Sequence, residues 1–68
     1  MNMNVVINGE EKQIPDSLTV IGLLAHLGIH PGRVAIERNL EILFRAKWET
    51  THVQPGDRYE IVNFVGGG

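Results

Sequence analysis

No cysteine occurs anywhere in the 68 residues. Its absence excludes disulfides, thiolate nucleophiles and thiolate metal ligands together, so packing alone must hold the fold. Long apolar runs are missing too. Nothing approaches the roughly 18 residues that a membrane helix needs. Basic clusters are also absent: Lys12, Arg33, Arg38, Arg45, Lys47 and Arg58 are scattered, and the formal charge is −2. That pattern lacks the basic stripe of a nucleic-acid footprint. Met1 to Val6 is short, uncharged and followed by polar Asn8-Gly9, which is no signal-peptide pattern. The expectation is a soluble, cytoplasmic chain with no membrane and no nucleic-acid partner. A single domain of this length buries only about 60% of the surface its unfolded chain exposes. Little core is left for a deep active site.

What is present reads as one small α+β domain. Met3, Val5 and Ile7 alternate along a strand. Asn8-Gly9 suits the type I′ turn of a tight hairpin, because both residues accept positive φ. Lys12 to Ile14 is the returning strand, ended by Pro15. Asp16-Ser17-Leu18-Thr19 then offers capping side chains. Val20, Leu23, Leu24 and Leu27 follow at helical spacing and form one apolar stripe, with Gly28 as the C-terminal stop. Gly22 inside the helix costs up to about 1 kcal/mol relative to Ala. Arg33 to Glu37 reads as a strand and Glu41 to Leu43 as a short one. Arg45 to Thr51 reads as irregular or briefly helical. After the Pro55-Gly56-Asp57 turn, Arg58 to Val65 reads as the last and longest strand. One helix with a largely continuous sheet implies two layers. The β-grasp architecture has this element order, here with four to five strands in a mixed sheet. The domain is expected over residues 1–65, with a separate tail over 66–68.

That tail, Gly66-Gly67-Gly68, is the informative segment. Ordering glycines costs more backbone entropy than ordering other residues, so they stabilise little. Stretched out, three residues span roughly 10 Å. The result is a thin arm carrying a carboxylate clear of the body. A carboxylate is a poor electrophile and has to be activated, typically as a mixed anhydride with AMP. A site that surrounds ATP and a protein terminus while excluding water admits the terminus only through a narrow channel. Side-chain-less residues fit such a channel. The plain alternative is an inert glycine-rich end.

Other candidates read as structural. His26 and His30 have the spacing of a metal pair on a helix, but Gly28 and Pro31 end the helix between them, and His52 is isolated. Glu10 and Glu11 beside Lys12 read as a solvated hairpin. Trp48 reads as packing, Asp57 as a turn residue. Arg33, Arg38 and Arg45 fit ordinary solubility as well as recognition of an acidic partner. No metal site and no nucleophile–base pair or phosphate loop emerges, so the chain is not expected to be an enzyme. On the last strand, Tyr59 and Ile61 share one face. If that face meets the helix, Val62 and Phe64 face solvent beside the tail and become candidates for partner docking. Cover by Trp48 or loop residues is the alternative.

Four segments resemble a known family: Val34-Ala35-Ile36-Glu37-Arg38-Asn39, Arg45-Ala46-Lys47-Trp48, Pro55-Gly56-Asp57-Arg58-Tyr59-Glu60-Ile61-Val62 and Phe64-Val65-Gly66-Gly67-Gly68. With the hairpin and the Leu23-Leu24 helix, they are similar to the sulfur carriers of thiamine thiazole biosynthesis, the ThiS family of ubiquitin-like β-grasp proteins. The resemblance implies a thiocarboxylate on Gly68. Its carboxylate would be adenylated with ATP by a ThiF-type partner and then take sulfur from a cysteine-derived persulfide. Thiazole synthase, of the ThiG type, would receive that sulfur. Gly67 matches the family's penultimate glycine, and Gly66 extends the arm. The chain itself would bind no cofactor. Arg38 departs from the family pattern, where an aliphatic residue is common; an arginine at a strand end is tolerable if exposed. A MoaD-like carrier for molybdopterin synthase and a β-grasp interaction module with an inert tail are the alternatives.

Overall fold

A computed structural model describes residues 1–64 of the chain. The strands are β1 (Asn2–Ile7), β2 (Glu10–Pro15), β3 (Val34–Arg38), β4 (Glu41–Ile42) and β5 (Arg58–Asn63), with helix α1 (Val20–Leu27) between β2 and β3. Single 3₁₀ turns occupy Pro31–Arg33 and Arg45–Lys47.

The hairpin forms for the reason its sequence gives. Asn8 and Gly9 both have positive φ, 51° and 82°, and Ile7 pairs directly with Glu10. Two-residue loops of this hand match the twist of the strands they join. Val5, Ile7 and Ile14 are buried and Met3 is partly so. Pro15, expected to end the returning strand, is its last residue, paired with Asn2 at the sheet edge. An edge strand tolerates a residue without an N–H.

Helix α1 has all its first N–H groups satisfied. Thr19 Oγ1 accepts from the Gly22 N–H at 3.2 Å. The Val20 and Ile21 N–H groups donate to the carbonyls of Thr51 and Trp48, and that of Leu23 to Thr19. The segment from Trp48 to Thr51, distant in sequence, thus completes the cap. Gly28, at φ 73°, ends the helix, with its N–H and that of Ile29 returning to the carbonyls of Ala25 and Leu24. That is a Schellman stop. Val20, Leu23 and Leu24 are buried and Leu27 is partly buried. Each buried aliphatic side chain contributes about 1.5–3 kcal/mol before entropy.

The sheet order is β2-β1-β5-β3-β4. Only β1 and β5 run parallel; the other neighbours are antiparallel. Sequence-adjacent hairpins therefore lie at the two edges, and the last strand inserts between them. This is a mixed five-stranded β-grasp sheet with one helix, as the element order implied. Val34, Ile36, Tyr59 and Ile61 bring the sheet's inner face to the helix. Trp48 joins this core, and its Nε1–H donates to the Leu43 carbonyl at 2.9 Å.

Three boundaries differ from the sequence reading. β3 starts one residue later and includes Arg38, with the chain turning at Asn39. β4 is two residues long. β5 ends at Asn63 and is no longer than β1 or β2; its partner β3 begins at Val34, opposite Asn63. Val65, placed in that strand by the sequence reading, lies outside the described residues. So do Gly66, Gly67 and Gly68.

Candidate functional site

The site is built around β5, which leads toward the glycines. Tyr59 and Ile61 point into the core, so the alternation of a strand turns Glu60 and Val62 outward. Val62 remains 57% exposed and Phe64 52%. Trp48 does not cover them, since it is itself in the core. Phe64 keeps one sheet bond, its N–H to the Arg33 carbonyl at 3.0 Å.

The sheet order adds residues that the sequence did not single out. Ala35 pairs with Val62, Glu37 with Glu60, and Ile42 with Glu37. These five line a shallow groove of about 400 Å³ on the sheet face opposite α1. Ile42 and Phe44, at the β4 edge, are more exposed than Val62. The apolar surface is therefore wider than Val62 and Phe64 and crosses three strands. Only the strand order, with β3 between β4 and β5, brings Ile42 to the same groove as Val62.

Behind this face, a polar cluster fixes the start of β5. Asp57 is 6% exposed. Its Oδ2 accepts from the Gln54 N–H at 2.9 Å, from the Tyr59 hydroxyl at 2.9 Å and from Arg38 Nε at 3.1 Å. Its Oδ1 accepts from Asn39 Nδ2 at 3.1 Å. Burial opposes the Asp57 charge, but the Gln54, Asn39 and Tyr59 hydrogen bonds and the Arg38 charge outweigh it and hold the pKa below the usual value. Burial, then the hydrogen bond to Asp57, pushes Tyr59 up to about 12. Arg38 is pulled down by burial and raised on balance by Tyr59 and Asp57. Two sequence expectations change here. Asp57 is a buried anchor in addition to a turn residue, and Arg38 is tolerated at the strand end by its ion pair with Asp57 while only partly exposed.

The remaining candidates separate by position. His26 sits in the last turn of α1, while His30 accepts from the Gly32 N–H beyond it. Among the described residues no cluster of three or more His, Asp or Glu could hold a metal, and no helix is long and apolar enough to cross a membrane. Arg45 stacks over Trp48, 4.4 Å from the ring centroid, and donates to the Pro31 carbonyl. The described residues present an exposed apolar surface on one side of β5, the strand that precedes Gly66, Gly67 and Gly68 in the sequence.

Comparison with known proteins decides the family. The sequence model described as "ThiS family" matches residues 5–68, through the final glycine. The chain belongs to the ThiS family. It is 36% identical over 63 residues to the sulfur carrier protein ThiS of Bacillus subtilis, covering 91% of this chain and 96% of that one. The crystal structure of the thiamine biosynthesis protein ThiS from Geobacter metallireducens superposes with a TM-score of 0.82 at 35% identity. That match covers 97% of this chain and all of the other. A further ThiS-like segment occurs in a protein named thiazole synthase from Paramagnetospirillum magneticum, 48% identical over 66 residues. There the match takes in 97% of this chain but only 20% of that protein's length.

Proposed function

We propose that this chain carries sulfur for thiazole formation in thiamine biosynthesis, as a protein substrate rather than an enzyme. The observation that carries the reading is the family match through Gly66, Gly67 and Gly68. A curated member over nearly its full length is a sulfur carrier. The thiazole recipient is favoured over molybdopterin synthase because a protein named thiazole synthase contains a segment 48% identical to this chain.

In this reading the Gly68 carboxylate attacks the α-phosphate of ATP within a ThiF-type adenylating enzyme. Acyl-adenylate and pyrophosphate result. A persulfide from a sulfur donor then attacks the acyl carbon through its terminal sulfur and expels AMP. A second thiol cleaves the resulting acyl disulfide, taking up one sulfur in a new disulfide and leaving the thiocarboxylate. Thiazole synthase then receives that sulfur. The carrier supplies no catalytic group and binds no cofactor; ATP is held by the partner. Gly66 and Gly67 thread the partner's channel, where a Cβ would meet its walls. Val62 and Phe64 dock the domain beside it.

Intact-mass analysis tests this. Incubation with ATP, the adenylating enzyme and a persulfide donor is expected to exchange one oxygen for sulfur on the full chain. Deletion of Gly68, or Gly67→Ala, is expected to abolish the exchange while leaving thermal unfolding unchanged. Exchange at the wild-type level in the deleted chain overturns the proposal.

A further inference from the structure

Two carboxylates on the docking face are placed where they disfavour the isolated fold. Glu37 on β3 and Glu60 on β5 are direct cross-strand partners. Both are exposed on the same outer face. Like charges directly opposite each other destabilise a sheet. Among the described residues, the cations that make ion pairs are the N-terminus, Lys12 and Arg38, and none of these pairs with Glu37 or Glu60. Arg58 shares the outer face two residues before Glu60, yet no ion pair within 4.0 Å forms between them among the described residues.

The two carboxylates sit inside the apolar surface rather than away from it. Ile42, Glu37 and Glu60 form one row across β4, β3 and β5, and Ala35 and Val62 form the next. All five line one groove. We infer that this groove receives a lysine or arginine of the adenylating partner, its charged head between Glu37 and Glu60 and its aliphatic stem along Ile42 and Val62. Long basic side chains present both parts. The occupant is set by charge complementarity. A second copy of this chain laid on the same face by two-fold symmetry brings its own Glu37 and Glu60 into the interface, which adds repulsion. The activating enzyme is the partner because the groove lies on β5, the strand that leads into the segment on which that enzyme acts. The inference rests on the proposed function and adds the chemistry by which the partner is selected.

The test measures the affinity of the full chain for the purified adenylating enzyme at low and high salt, beside thermal unfolding of the carrier alone. The double variant Glu37→Gln/Glu60→Gln is expected to weaken binding about tenfold at low salt and clearly less at high salt, and Glu60→Lys more strongly still. The glutamine variant is expected to unfold at the same temperature as the wild type or higher, since it removes a repulsion. Unchanged affinity in the folded double variant overturns the inference. So does a fall in unfolding temperature of more than about 5 °C, about 1 kcal/mol for a domain this small, because the carboxylates would then serve the fold. Sulfur loading followed by mass in parallel separates the two readings. Loading with no dependence on these charges removes the groove's role and keeps the carrier function. Charge-dependent binding without loading removes the carrier function and keeps the groove's role.

Discussion

Two turns in this molecule begin with asparagine, and they reach β5 from opposite sides. Asn8 starts the β1–β2 turn and Asn39 the β3–β4 turn. Both have φ 51°. Each donates its backbone N–H to a β5 carbonyl, Asn8 to Tyr59 and Asn39 to Arg58, both at 2.8 Å. Each then uses its side chain on β5. The Asn8 amide takes the Ile61 N–H at 2.7 Å and donates to the Ile61 carbonyl at 3.1 Å. Asn39 takes the Arg58 N–H at 2.9 Å and donates to Asp57. The strand leading to the glycines is thus gripped by two hairpin turns. The difference lies in the support. Asn8 extends the ladder past the end of β1 with its own amide. Asn39 works within a charged cluster and is followed by a leucine.

The largest effect is expected where the second turn depends on the cluster. Asp57→Ala leaves Arg38 partly buried without its counter-charge and removes the acceptor for Gln54, Tyr59 and Asn39. A loss of about 2–4 kcal/mol in denaturant unfolding is expected. The same cluster makes stability pH-dependent at both extremes. The folded Asp57 pKa lies below its unfolded value, so its contribution is present above the unfolded value and is lost as pH falls through the folded one. Tyr59 is raised from 10.0 to about 12. Between these values the folded chain keeps a proton that the unfolded chain releases, so stability falls as pH rises through that window. Tyr59→Phe is expected to flatten the alkaline slope; a slope as steep as in the wild type would assign it elsewhere.

At the first turn the stake is smaller. Asn8→Ala loses two hydrogen bonds to Ile61 and puts a Cβ residue without a local amide at positive φ. About 1–2 kcal/mol is expected. Asn8→Gly keeps the backbone freedom and loses only the amide contacts, so it should fall between the two. If Asn8→Gly matches the wild type, the amide's grip on β5 contributes nothing measurable.

The same contrast explains what could be read from the chain before its structure. The first hairpin and the helix were legible because their signals are local: Asn-Gly, an alternating strand, a 3–4 stripe and a closing glycine. The second turn has no such signal at Leu40. Asp57 was read as part of Pro-Gly-Asp because its other role comes from Arg38 and Asn39, which are distant in sequence. Ile42 joined the outer groove only through a strand order that places β5 between the two hairpins. Val62 could be placed on the outer side because strand parity is local, whereas Phe64 lies just past the end of β5.

Leu40 is the sharpest remaining difference between the turns. It occupies the position of Gly9 in the first turn, at φ 72°, and is 89% exposed. An L-residue in this region costs about 1–2 kcal/mol. So little of its side chain is buried that packing returns almost nothing. Leu40→Gly should therefore stabilise the fold by up to about 1 kcal/mol, because the greater freedom of glycine in the unfolded chain offsets part of the relief. Urea unfolding measures this, with an unchanged slope as the sign that only the turn has altered. Sulfur loading should be unaffected, since Leu40 lies at a hairpin tip outside the groove. A stabilised variant that loads more slowly would instead assign the exposed leucine to the partner surface, and would explain why a strained turn is kept beside a relaxed one.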